Sequence, residues 1–576
     1  MTDAPSTSFV TAISVLDTLV RAGMRHVLIA PGSRSAPLAY ALAALDQAGV
    51  LEAHVRIDER SAAFTALGIA KASGQPVGLV TTSGTAVGEC LPALMEAYHA
   101  GVPLALLSAD RPARLQGTGA NQTTDQQTIA PAHTRASCTL ENYSADPADP
   151  QSAQLNAVLA ALTGHSAENW GVRSATPMGP AQINLAFDTP LTPSPLDQQI
   201  LERWARSLAE NPPAPATALP PADPTAASWL ETPPASRDTR RTGRSATACR
   251  TVVVAGDGAG PIAQAFAQEQ GLPLLAEPSS NARFSPLAVP AYRQVLAGPL
   301  GKQIERVAIF GHPTLSRPVA TLLANPAVER ALYLPAPAPW YEPGALDIPR
   351  IESLTALADF AGTGQGAKTE GGEDWALSWC ETGQELAHQL AQVVSDYRAG
   401  VSTAADRLGA ESADRTAGYA LADTTWRTCL EDDAVLVLGS SNLIRDLDLI
   451  APPLAASPLV FANRGLAGID GTIATASGIS LALNRPVRLL MGDLTFLHDS
   501  GSLNIGPTER KPDLEVLVYD DRGGGIFSTL EHGQLAQQQK FAPAIRRFFT
   551  TPHTAQLEEL AAAWGENGIK VKVIRP

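Results

Sequence analysis

Cysteine is scarce in this chain, with five residues in 576, at positions 90, 138, 249, 380 and 429 and none in a C-x-x-C pair. Disulfide frameworks and zinc sites need paired cysteines, so we expect scattered reduced thiols in a cytoplasmic protein. Long apolar runs are also missing, since none approaches the ~20 residues that span a bilayer. The first eight residues lack a basic region followed by an apolar core, so we expect no secretory signal.

Basic residues are outnumbered, 42 Lys and Arg against 57 Asp and Glu, and the net charge is −15. An acidic protein repels nucleic acid and anionic membranes on average, so we expect neither as a partner. A local arginine pocket for small anions is compatible with this balance. Hydrophobic residues make up 45% and charged residues 17%, which is typical of a globular protein. At roughly 150 residues per domain, the length favours three or four domains.

Apolar runs alternate with helical patterns along the chain. Strands are predicted at 26–30, 77–81 and 104–107, each followed by a turn, with helices at 61–72 and 86–100. This order is typical of βαβ units and predicts a parallel sheet. Further strands are predicted at 251–254, 434–438, 459–462, 487–491, 516–519 and 571–574, and a long helix at 375–398. We expect three α/β domains, each a parallel sheet flanked by helices.

Two changes of composition divide the chain. Residues 211–250 are rich in proline, alanine and threonine and predict a linker. Residues 362–372 are glycine-rich and predict a second linker. The predicted domains are therefore residues 1–190, 251–360 and 375–576.

A glycine-rich turn follows the strand at 251–254. Its sequence, VVVAGDGAG at 252–260, resembles a dinucleotide-binding turn, and Glu277 lies about 20 residues on. The spacing is G-x-G-x-G, however, whereas the dinucleotide fingerprint is G-x-G-x-x-G. We favour a structural glycine turn and keep an NAD-dependent dehydrogenase as the alternative.

Two segments near the end of the chain carry acidic residues directly after strands. Met491-Gly492-Asp493 closes one strand, and Asp520-Asp521 with three glycines follows the next, so that Asp521 comes 28 positions after Asp493. Parallel sheets place ligands at the carboxyl ends of their strands. Mg²⁺ prefers hard oxygen ligands, with few protein carboxylates and substrate phosphates. Asp493, Asp521 and the Gly523 carbonyl could hold Mg²⁺, although turn and helix-capping roles are the ordinary alternative for such aspartates.

An ordered series of motifs supports one family. The motifs are APGSRS at 30–35, DER at 58–60, TSGTA at 82–86, ADRP at 109–112, GANQ at 119–122, GHPTLSRP at 311–318, GDL at 492–494 and GGGIF at 523–527. Together they resemble the 2-succinyl-5-enolpyruvyl-6-hydroxy-3-cyclohexene-1-carboxylate synthases, the MenD family of thiamine-diphosphate enzymes. The general motif of such enzymes is G-D-G followed about 30 residues later by N-N. Here Leu494 replaces the last glycine, and Asp520-Asp521 replaces the asparagines.

The resemblance implies a pyrimidine-binding domain, a middle domain and a diphosphate-binding domain. It implies a site between two subunits, hence a homodimer or a dimer of dimers. The cofactors implied are thiamine diphosphate and Mg²⁺ or Mn²⁺. The reaction implied decarboxylates 2-oxoglutarate and adds the remaining unit to isochorismate, in menaquinone biosynthesis. In such a family we would expect the chain to continue past a strand like 571–574, so a shortened C-terminus is an expectation here.

The resemblance also assigns residues to the cofactor. Glu59 would hydrogen-bond to N1′ of the aminopyrimidine, favouring the tautomer that removes the C2 proton; alone, it would more often be a helix N-terminal charge. Asp493, Asp521 and Gly523 would hold the metal. The other cofactor contacts implied are Ser83, Ser441, Gly468, Ile469, Leu494, Thr495, Ile526 and Phe527.

Arginine is the expected substrate ligand, because both substrates are dicarboxylates and a planar guanidinium binds a carboxylate in a bidentate manner. Arg34, Arg445 and Arg464 are implied as catalytic together with Glu59. The substrate pocket implied comprises Ser33, Arg34, Arg111, Asn121, Gln122, Arg317, Ser441, Arg445, Arg464, Phe527 and Leu530. Two alternatives are kept: another thiamine-diphosphate 2-oxo-acid decarboxylase or carboligase, and a non-catalytic descendant that binds ligands.

Overall fold

The structure, a computed structural model, describes residues 4–165, 176–213, 248–342, 344, 347–400 and 415–576. These residues form three parallel sheets, which we name the first, middle and last sheets in chain order. Helices cover both faces of each sheet, which confirms the predicted α/β fold. The predicted linker at 211–250 lies outside the described residues except at its two ends. The predicted domain boundaries stay predictions.

The first sheet has six strands. They are β1 (His26–Ile29), β2 (Glu52–Val55), β3 (Val77–Thr81), β4 (Leu104–Asp110), β5 (Ala136–Glu141) and β6 (Ala181–Ala186). Their order across the sheet is β2-β1-β3-β4-β6-β5. The accompanying helices are α1 (Thr7–Arg21), α2 (Ala36–Gln47), α3 (Glu59–Ser73), α4 (Thr85–Glu89), α5 (Leu91–Ala100), α6 (Pro150–Thr163) and α7 (Pro195–Glu210).

The middle sheet has five strands. They are β7 (Thr251–Ala255), β8 (Leu274–Ala276), β9 (Arg306–Phe310), β10 (Glu329–Tyr333) and β11 (Arg350–Ile351). Their order is β11-β10-β9-β7-β8. The accompanying helices are α8 (Pro261–Gln270), α9 (Tyr292–Ala297), α10 (Arg317–Ala324) and α11 (Leu354–Ala361).

The last sheet also has five strands. They are β12 (Val435–Leu438), β13 (Val460–Ala462), β14 (Val487–Gly492), β15 (Leu514–Tyr519) and β16 (Ile569–Ile574), in the order β13-β12-β14-β15-β16. The accompanying helices are α12 (Trp375–Arg398), α13 (Thr416–Glu431), α14 (Asn442–Ile450), α15 (Thr472–Leu483), α16 (Asp493–Asp499), α17 (Glu531–Ala536), α18 (Ala542–Ile545) and α19 (Leu557–Ala562).

The strands are mostly apolar along their length because both faces of each sheet are buried. Every residue of β3, β4 and β7 is buried. Along β1, Val27 belongs to the core on one face of the first sheet, and Leu28 belongs to the core on the other. Successive side chains of a strand point to opposite faces, so a sheet covered twice needs apolar residues at both.

Three elements differ from the simplest sequence interpretation. The helix predicted at 86–100 is divided at Cys90 into α4 and α5, because Pro92 has no N–H to donate to the preceding turn. Helix α7 lies after the predicted domain end at residue 190, yet it packs into the core of the first sheet. The first half of α12 packs on the middle sheet through Trp375, and its second half packs on the last sheet through Leu390.

The first and last sheets meet where α3 crosses α15. A Cβ at Gly68 would overlap the carbonyl oxygen of Thr475, and a Cβ at Gly478 would overlap that of Thr65. Glycine at both positions therefore lets the two helix backbones touch. This contact fixes how the first unit, the first sheet with its helices, packs against the last unit, the last sheet with its helices.

All five cysteines are free and buried. In the described part of the chain, no helix combines the length and the apolar character needed to cross a membrane.

Candidate active site

The residues proposed from the sequence all follow carboxyl ends of strands. In the first sheet, Ser33 and Arg34 follow β1, Glu59 follows β2, Ser83 follows β3 and Arg111 follows β4. In the other two sheets, Arg317 follows β9, Ser441 and Arg445 follow β12, and Arg464, Gly468 and Ile469 follow β13. The Asp493–Thr495 segment follows β14, and Asp521, Gly523, Ile526, Phe527 and Leu530 follow β15. Each sheet thus collects its polar residues at one edge, where α/β sheets bind ligands.

Ser83, Arg111 and Gln122 form a hydrogen-bonded cluster at the edge of the first sheet. The Arg111 guanidinium donates to the Ser83 hydroxyl at 2.6 Å and to the Gln122 carbonyl at 2.9 Å. The Gln122 amide donates to the Ser83 carbonyl at 2.9 Å. Arg34 is close enough for Arg111 to lower its pKa, after burial as the larger cause. Two cations beside a hydroxyl and an amide make an anion-binding corner.

Glu59 is the first residue of α3. Asp58 caps this helix, since its carboxylate accepts from the backbone N–H groups of Arg60 at 2.8 Å and Ser61 at 3.2 Å. Partial burial raises the pKa of Glu59 above its usual value, and the nearby carboxylates of Asp58 and Glu89 raise it further. A carboxyl group that keeps its proton more easily is suited to share it with a ring nitrogen.

Asp493 is the most connected of the proposed metal ligands. Its Oδ2 accepts a hydrogen bond from the Gly523 N–H at 2.8 Å and lies 2.9 Å from Nε2 of His553. Asp520 is buried and lies 3.2 Å from the Arg575 guanidinium, so its charge is already compensated. Ligand atoms of Asp493, Asp520 and His553 lie within 4.8 Å of one another.

Asp521 makes no ion pair with any described residue. Burial raises its pKa to about 6, and the charge of Asp493 adds to this. Burial also raises the pKa of Asp493, against the hydrogen bonds that it accepts. A buried and a half-buried carboxylate that repel one another gain from a divalent cation between them. The Gly523 carbonyl, a third proposed ligand, accepts from the Gly525 N–H at 3.0 Å and keeps a second lone pair.

Space for a phosphate group lies beside these carboxylates. A Cβ at Gly492 would meet nothing nearer than the Ser441 side chain at 4.0 Å, so the strand end is open on that side. Across the turn, a Cβ at Gly525 would overlap the Asp521 carboxylate, so glycine is required for the turn to close around it. The donor set is oxygen-rich and anionic beside open backbone, and it fits a diphosphate held through Mg²⁺ or Mn²⁺.

Three proposed substrate arginines gather between the middle and last sheets. The Arg464 guanidinium is buried and donates to the Thr314 hydroxyl at 2.8 Å, while Arg445 donates to the Ser441 carbonyl at 2.8 Å. Burial lowers the pKa of Arg445, and the charges of Arg464, Arg293 and Arg317 lower it further. Arg317 is exposed and pairs with Glu531 at 3.0 Å, whereas the sheltered guanidinium groups of Arg445 and Arg464 are stabilised by carboxylate ligands.

The glycine turn at 256–260 is filled by protein. A Cβ at Gly256 would overlap the backbone of Pro313, and Asp257 pairs with His312 through two backbone hydrogen bonds of 3.1 and 2.9 Å. Glu277 is buried and accepts the Leu315 N–H at 2.9 Å, so it is occupied within the protein. The turn packs against the loop that carries Arg317, which agrees with the structural interpretation and leaves the dehydrogenase alternative without support.

Glu96 of α5 fixes the loop after β13. Its buried carboxylate accepts the backbone N–H groups of Gly465 at 2.8 Å and Leu466 at 2.7 Å. This anchor positions Arg464 on one side of the loop and Ile469 on the other. Sequence reasoning missed Glu96 and His553, because each is far along the chain from its partner and neither directly follows a strand; Glu277 was noted only for the dehydrogenase alternative.

The two groups of candidate residues lie on elements that touch, since Arg60, next to Glu59, donates to the His498 carbonyl of α16 at 3.2 Å. Among the described residues, however, Glu59, Ser83 and Arg111 make no hydrogen bond or ion pair with Asp493 or Arg445 themselves. Asn121 is exposed beside the first group, and Phe527 stacks edge-on against Phe549 at 5.4 Å in the second.

Known proteins are similar to this chain in amino-acid sequence. Residues 11–129 match the family model described as "Thiamine pyrophosphate enzyme, N-terminal TPP binding domain". A 2-succinyl-5-enolpyruvyl-6-hydroxy-3-cyclohexene-1-carboxylate synthase of Renibacterium salmoninarum is 46% identical over 97% of this chain and 89% of its own. The synthases of Arthrobacter sp. (strain FB24) and Mycolicibacterium smegmatis are 45% and 38% identical, over 95% and 96% of this chain and 82% and 90% of theirs.

The chain has three parallel sheets flanked by helices, an acidic strand edge suited to a metal-bound diphosphate, and the matched N-terminal domain. Together these features define a thiamine-diphosphate enzyme. Within that class, the identity extends over almost the whole chain. The chain belongs to the 2-succinyl-5-enolpyruvyl-6-hydroxy-3-cyclohexene-1-carboxylate synthase family.

Proposed function

We propose that this protein is a carboligase of menaquinone biosynthesis that decarboxylates 2-oxoglutarate and adds the four-carbon unit to isochorismate. The observation that carries the substrate assignment is the group of Arg317, Arg445 and Arg464, whose charges crowd together in an acidic protein. Both substrates are dicarboxylates, and several guanidinium groups are what two such anions require. A decarboxylase for a monocarboxylate such as pyruvate has no need of so many.

Thiamine diphosphate, when bound, supplies the nucleophilic carbon and the electron sink that decarboxylation of a 2-oxo acid needs. Asp493, Asp521 and the Gly523 carbonyl would hold Mg²⁺ or Mn²⁺ with the diphosphate. Glu59 would share a proton with N1′ of the aminopyrimidine, which its raised pKa favours. Ser83, Ser441, Gly468, Ile469, Leu494, Thr495, Ile526 and Phe527 would complete the cofactor site.

The arginines of the last sheet would bind the substrates and oppose the charge of their carboxylates. Arg445 is oriented by its hydrogen bond to the Ser441 carbonyl, and Arg464 by its hydrogen bond to the Thr314 hydroxyl. From the first sheet, Arg34 and Arg111 would contribute a second anion-binding corner, with Ser33, Asn121 and Gln122 beside it. Decarboxylation removes one carboxylate of 2-oxoglutarate as CO₂. The arginines would hold the substrates through the carboxylates that remain. Pyruvate is not eliminated in the proposed step.

The active unit would be a homodimer, in a cytoplasmic protein, with each site shared between two subunits. Within one chain, the described residues Glu59 and Ser83 make no hydrogen bond or ion pair with Asp493 or Arg445. In addition, Ile57, two residues before Glu59, is 69% exposed, and such a large apolar surface beside a proposed catalytic group suits a subunit interface.

Mixing two impaired variants at limiting Mg²⁺, where Asp493→Asn should have little activity, tests the shared site. Glu59→Gln and Asp493→Asn damage different halves, so a mixed dimer would contain one site with both lesions and one intact site. The two dimers are mixed at low protein concentration, where they dissociate and exchange subunits without being unfolded. Recovery of activity on mixing supports the shared site, whereas no recovery in a sample with proven mixed dimers contradicts it.

Substrate selection tests the proposed reaction. The protein, thiamine diphosphate and Mg²⁺ are supplied with 2-oxoglutarate, pyruvate or benzoylformate, each with and without isochorismate. We expect 2-oxoglutarate to be consumed and isochorismate to accelerate this. Turnover of pyruvate without turnover of 2-oxoglutarate would assign another decarboxylase activity, and absence of cofactor binding at millimolar concentration would favour a non-catalytic protein.

A further inference from the structure

A second group of metal-binding side chains lies at the opposite edge of the first sheet. His26 begins β1, Glu52 begins β2, and His54 is two residues further along β2. His26 and Glu52 are register partners in the parallel pair, so all three side chains point to one face of the sheet. The proposed substrate and cofactor residues follow the carboxyl ends of these strands, so this group is separate from them.

The three side chains lie close together, and the two imidazole rings are nearly parallel, with centroids 5.6 Å apart. Nδ1 of His26 lies 3.3 Å from Nε2 of His54. The Glu52 carboxylate oxygens lie 3.8 Å from His26 Nδ1 and 3.9 Å from His54 Nε2. Zn²⁺ binds imidazole and carboxylate at about 2.0–2.2 Å, so tetrahedral ligands lie about 3.3 Å apart. The histidine pair already has this separation, and Glu52, which is one-third exposed, needs to move by about half an ångström to reach it.

Burial favours the neutral form of both imidazoles, which is the form that binds metals. Burial lowers the pKa of His54 to about 3, and the neighbouring His26, Arg56 and Arg510 lower it further. Burial also lowers the pKa of His26, against the charge of Glu52. A neutral imidazole has one lone pair, and because the two facing nitrogens are hydrogen-bonded, one ring must change its tautomer before both nitrogens bind a cation.

Arg510 supports the carboxylate from outside. Its guanidinium donates to Glu52 at 2.9 Å and to the Asn484 side chain at 2.9 Å, which links β2 to the unit of the last sheet. A carboxylate that binds a metal is commonly held by such an outer hydrogen bond. The positive charge of Arg510 opposes a cation, so it weakens the site while it orients Glu52.

We propose that His26, Glu52 and His54 form a binding site for a transition-metal dication of the Zn²⁺ class, with a water in the fourth position. Two nitrogen ligands and one carboxylate suit Zn²⁺ or Co²⁺, whereas Mg²⁺ prefers all-oxygen sites. The bound ion joins β1 to β2 and, through Arg510, stabilises the contact with the last unit. The competing interpretation is a simple hydrogen bond between the two imidazoles.

Metal titration of the full-length protein tests the site. Co²⁺ and Zn²⁺ are added to a background variant with Asp493→Asn and His553→Gln, which removes the other histidine–carboxylate cluster. Binding is followed by the visible absorption of four-coordinate Co²⁺ and by calorimetry, and folding by the melting temperature. Glu52→Gln and His26→Gln are added singly to this background, because both side chains are partly exposed and their loss should leave the fold intact. His498→Gln, at an exposed histidine outside the cluster, is the matched control.

We expect one equivalent of Co²⁺ with four-coordinate absorption in the background variant, and a melting temperature that rises with Zn²⁺. Glu52→Gln and His26→Gln should each lower the affinity by at least ~10-fold, since even outer hydrogen-bond partners cost that much. His498→Gln should leave it unchanged. The proposal is overturned by absence of binding in the background variant, by equal affinity in Glu52→Gln and His26→Gln, or by an equal loss in His498→Gln.

Discussion

The backbone N–H of Gly523 donates a 2.8 Å hydrogen bond to Oδ2 of Asp493. This bond joins the ends of β14 and β15, which are neighbours in the last sheet, and it holds the glycine turn over the carboxylate. Asp521 follows the same strand end as Gly523, and its pKa is raised by burial and by Asp493. The metal site that we propose is therefore set by one sheet edge, although its residues are 30 positions apart.

Asp493→Asn should weaken the metal site without unfolding the protein. The amide oxygen can still accept from Gly523, but the charge that attracts the cation is lost. We expect the Mg²⁺ concentration for half-maximal activity to rise at least ~10-fold, with activity partly restored by excess Mg²⁺. Calorimetric titration of thiamine diphosphate with Mg²⁺ checks the same loss. An unchanged Mg²⁺ requirement would show that Asp493 is not a ligand.

Arg445→Ala should separate substrate binding from cofactor activation. A hydrogen bond to a charged group contributes about 1.5–3 kcal/mol, so kcat/KM for 2-oxoglutarate should fall by roughly 10–100-fold. Exchange of the C2 proton of the bound cofactor, followed by NMR, should continue as in the wild type. Arg21→Ala removes an exposed ion pair with Asp17 and is the control, with kcat/KM unchanged. A normal kcat/KM in Arg445→Ala would remove Arg445 from the substrate site.

Glu277→Gln should change stability in a pH-dependent way. Burial raises the pKa of Glu277 to about 8 in the folded protein, from its usual 4.5. The folded state then binds more protons than the unfolded state between these values, so wild-type stability falls as pH rises through this window. Glutamine resembles the protonated acid, so the variant does not lose stability in this window. The wild type loses about 1.4 kcal/mol of stability for each unit by which folding raises the pKa.

The melting temperatures of Glu277→Gln and wild type should therefore be close near about pH 5, and the variant should melt higher near about pH 8. Differential scanning calorimetry in the same buffer series measures both. A difference in melting temperature that does not change with pH would show that Glu277 titrates normally.

Gly68→Ala should loosen the contact between the first and last units. A Cβ there would overlap the Thr475 carbonyl, and overpacking typically costs 1–3 kcal/mol. Gly88→Ala is the matched control, because a Cβ at this helical position meets nothing within 4 Å. We expect Gly68→Ala to lower the melting temperature and Gly88→Ala to leave it equal or slightly higher. Equal melting temperatures for the two variants would contradict the close helix crossing.

The sheets could be predicted from the sequence because their strands are buried on both faces. Runs such as Val77–Thr81 and Leu514–Tyr519 are mostly apolar, and the turns that follow them carry the polar motifs. The bounds of α12, Trp375–Arg398, coincide with the predicted helix. Sequence order and strand-end position were therefore enough to collect the candidate residues of each sheet.

Contacts between distant elements could not be predicted in this way. His553 reaches Asp493 from 60 residues away, and Glu96 holds the loop of Arg464 from 370 residues away. Neither residue follows a strand or belongs to a periodic pattern. The division between α4 and α5 was likewise missed, because one proline within a long apolar helical pattern is a weak signal.

The most direct test of the account is product formation from 2-oxoglutarate and isochorismate by the wild type and Glu59→Gln. In the wild type we expect one CO₂ and one adduct for each 2-oxoglutarate consumed, dependent on thiamine diphosphate and Mg²⁺. Glutamine fills the same volume at position 59 but cannot share a proton with the aminopyrimidine, so turnover should fall by ~10²–10⁴-fold at an unchanged melting temperature. Glu89→Gln, at the exposed neighbouring carboxylate, should stay near wild type. Near-normal turnover in Glu59→Gln, or no adduct in the wild type, would contradict the account.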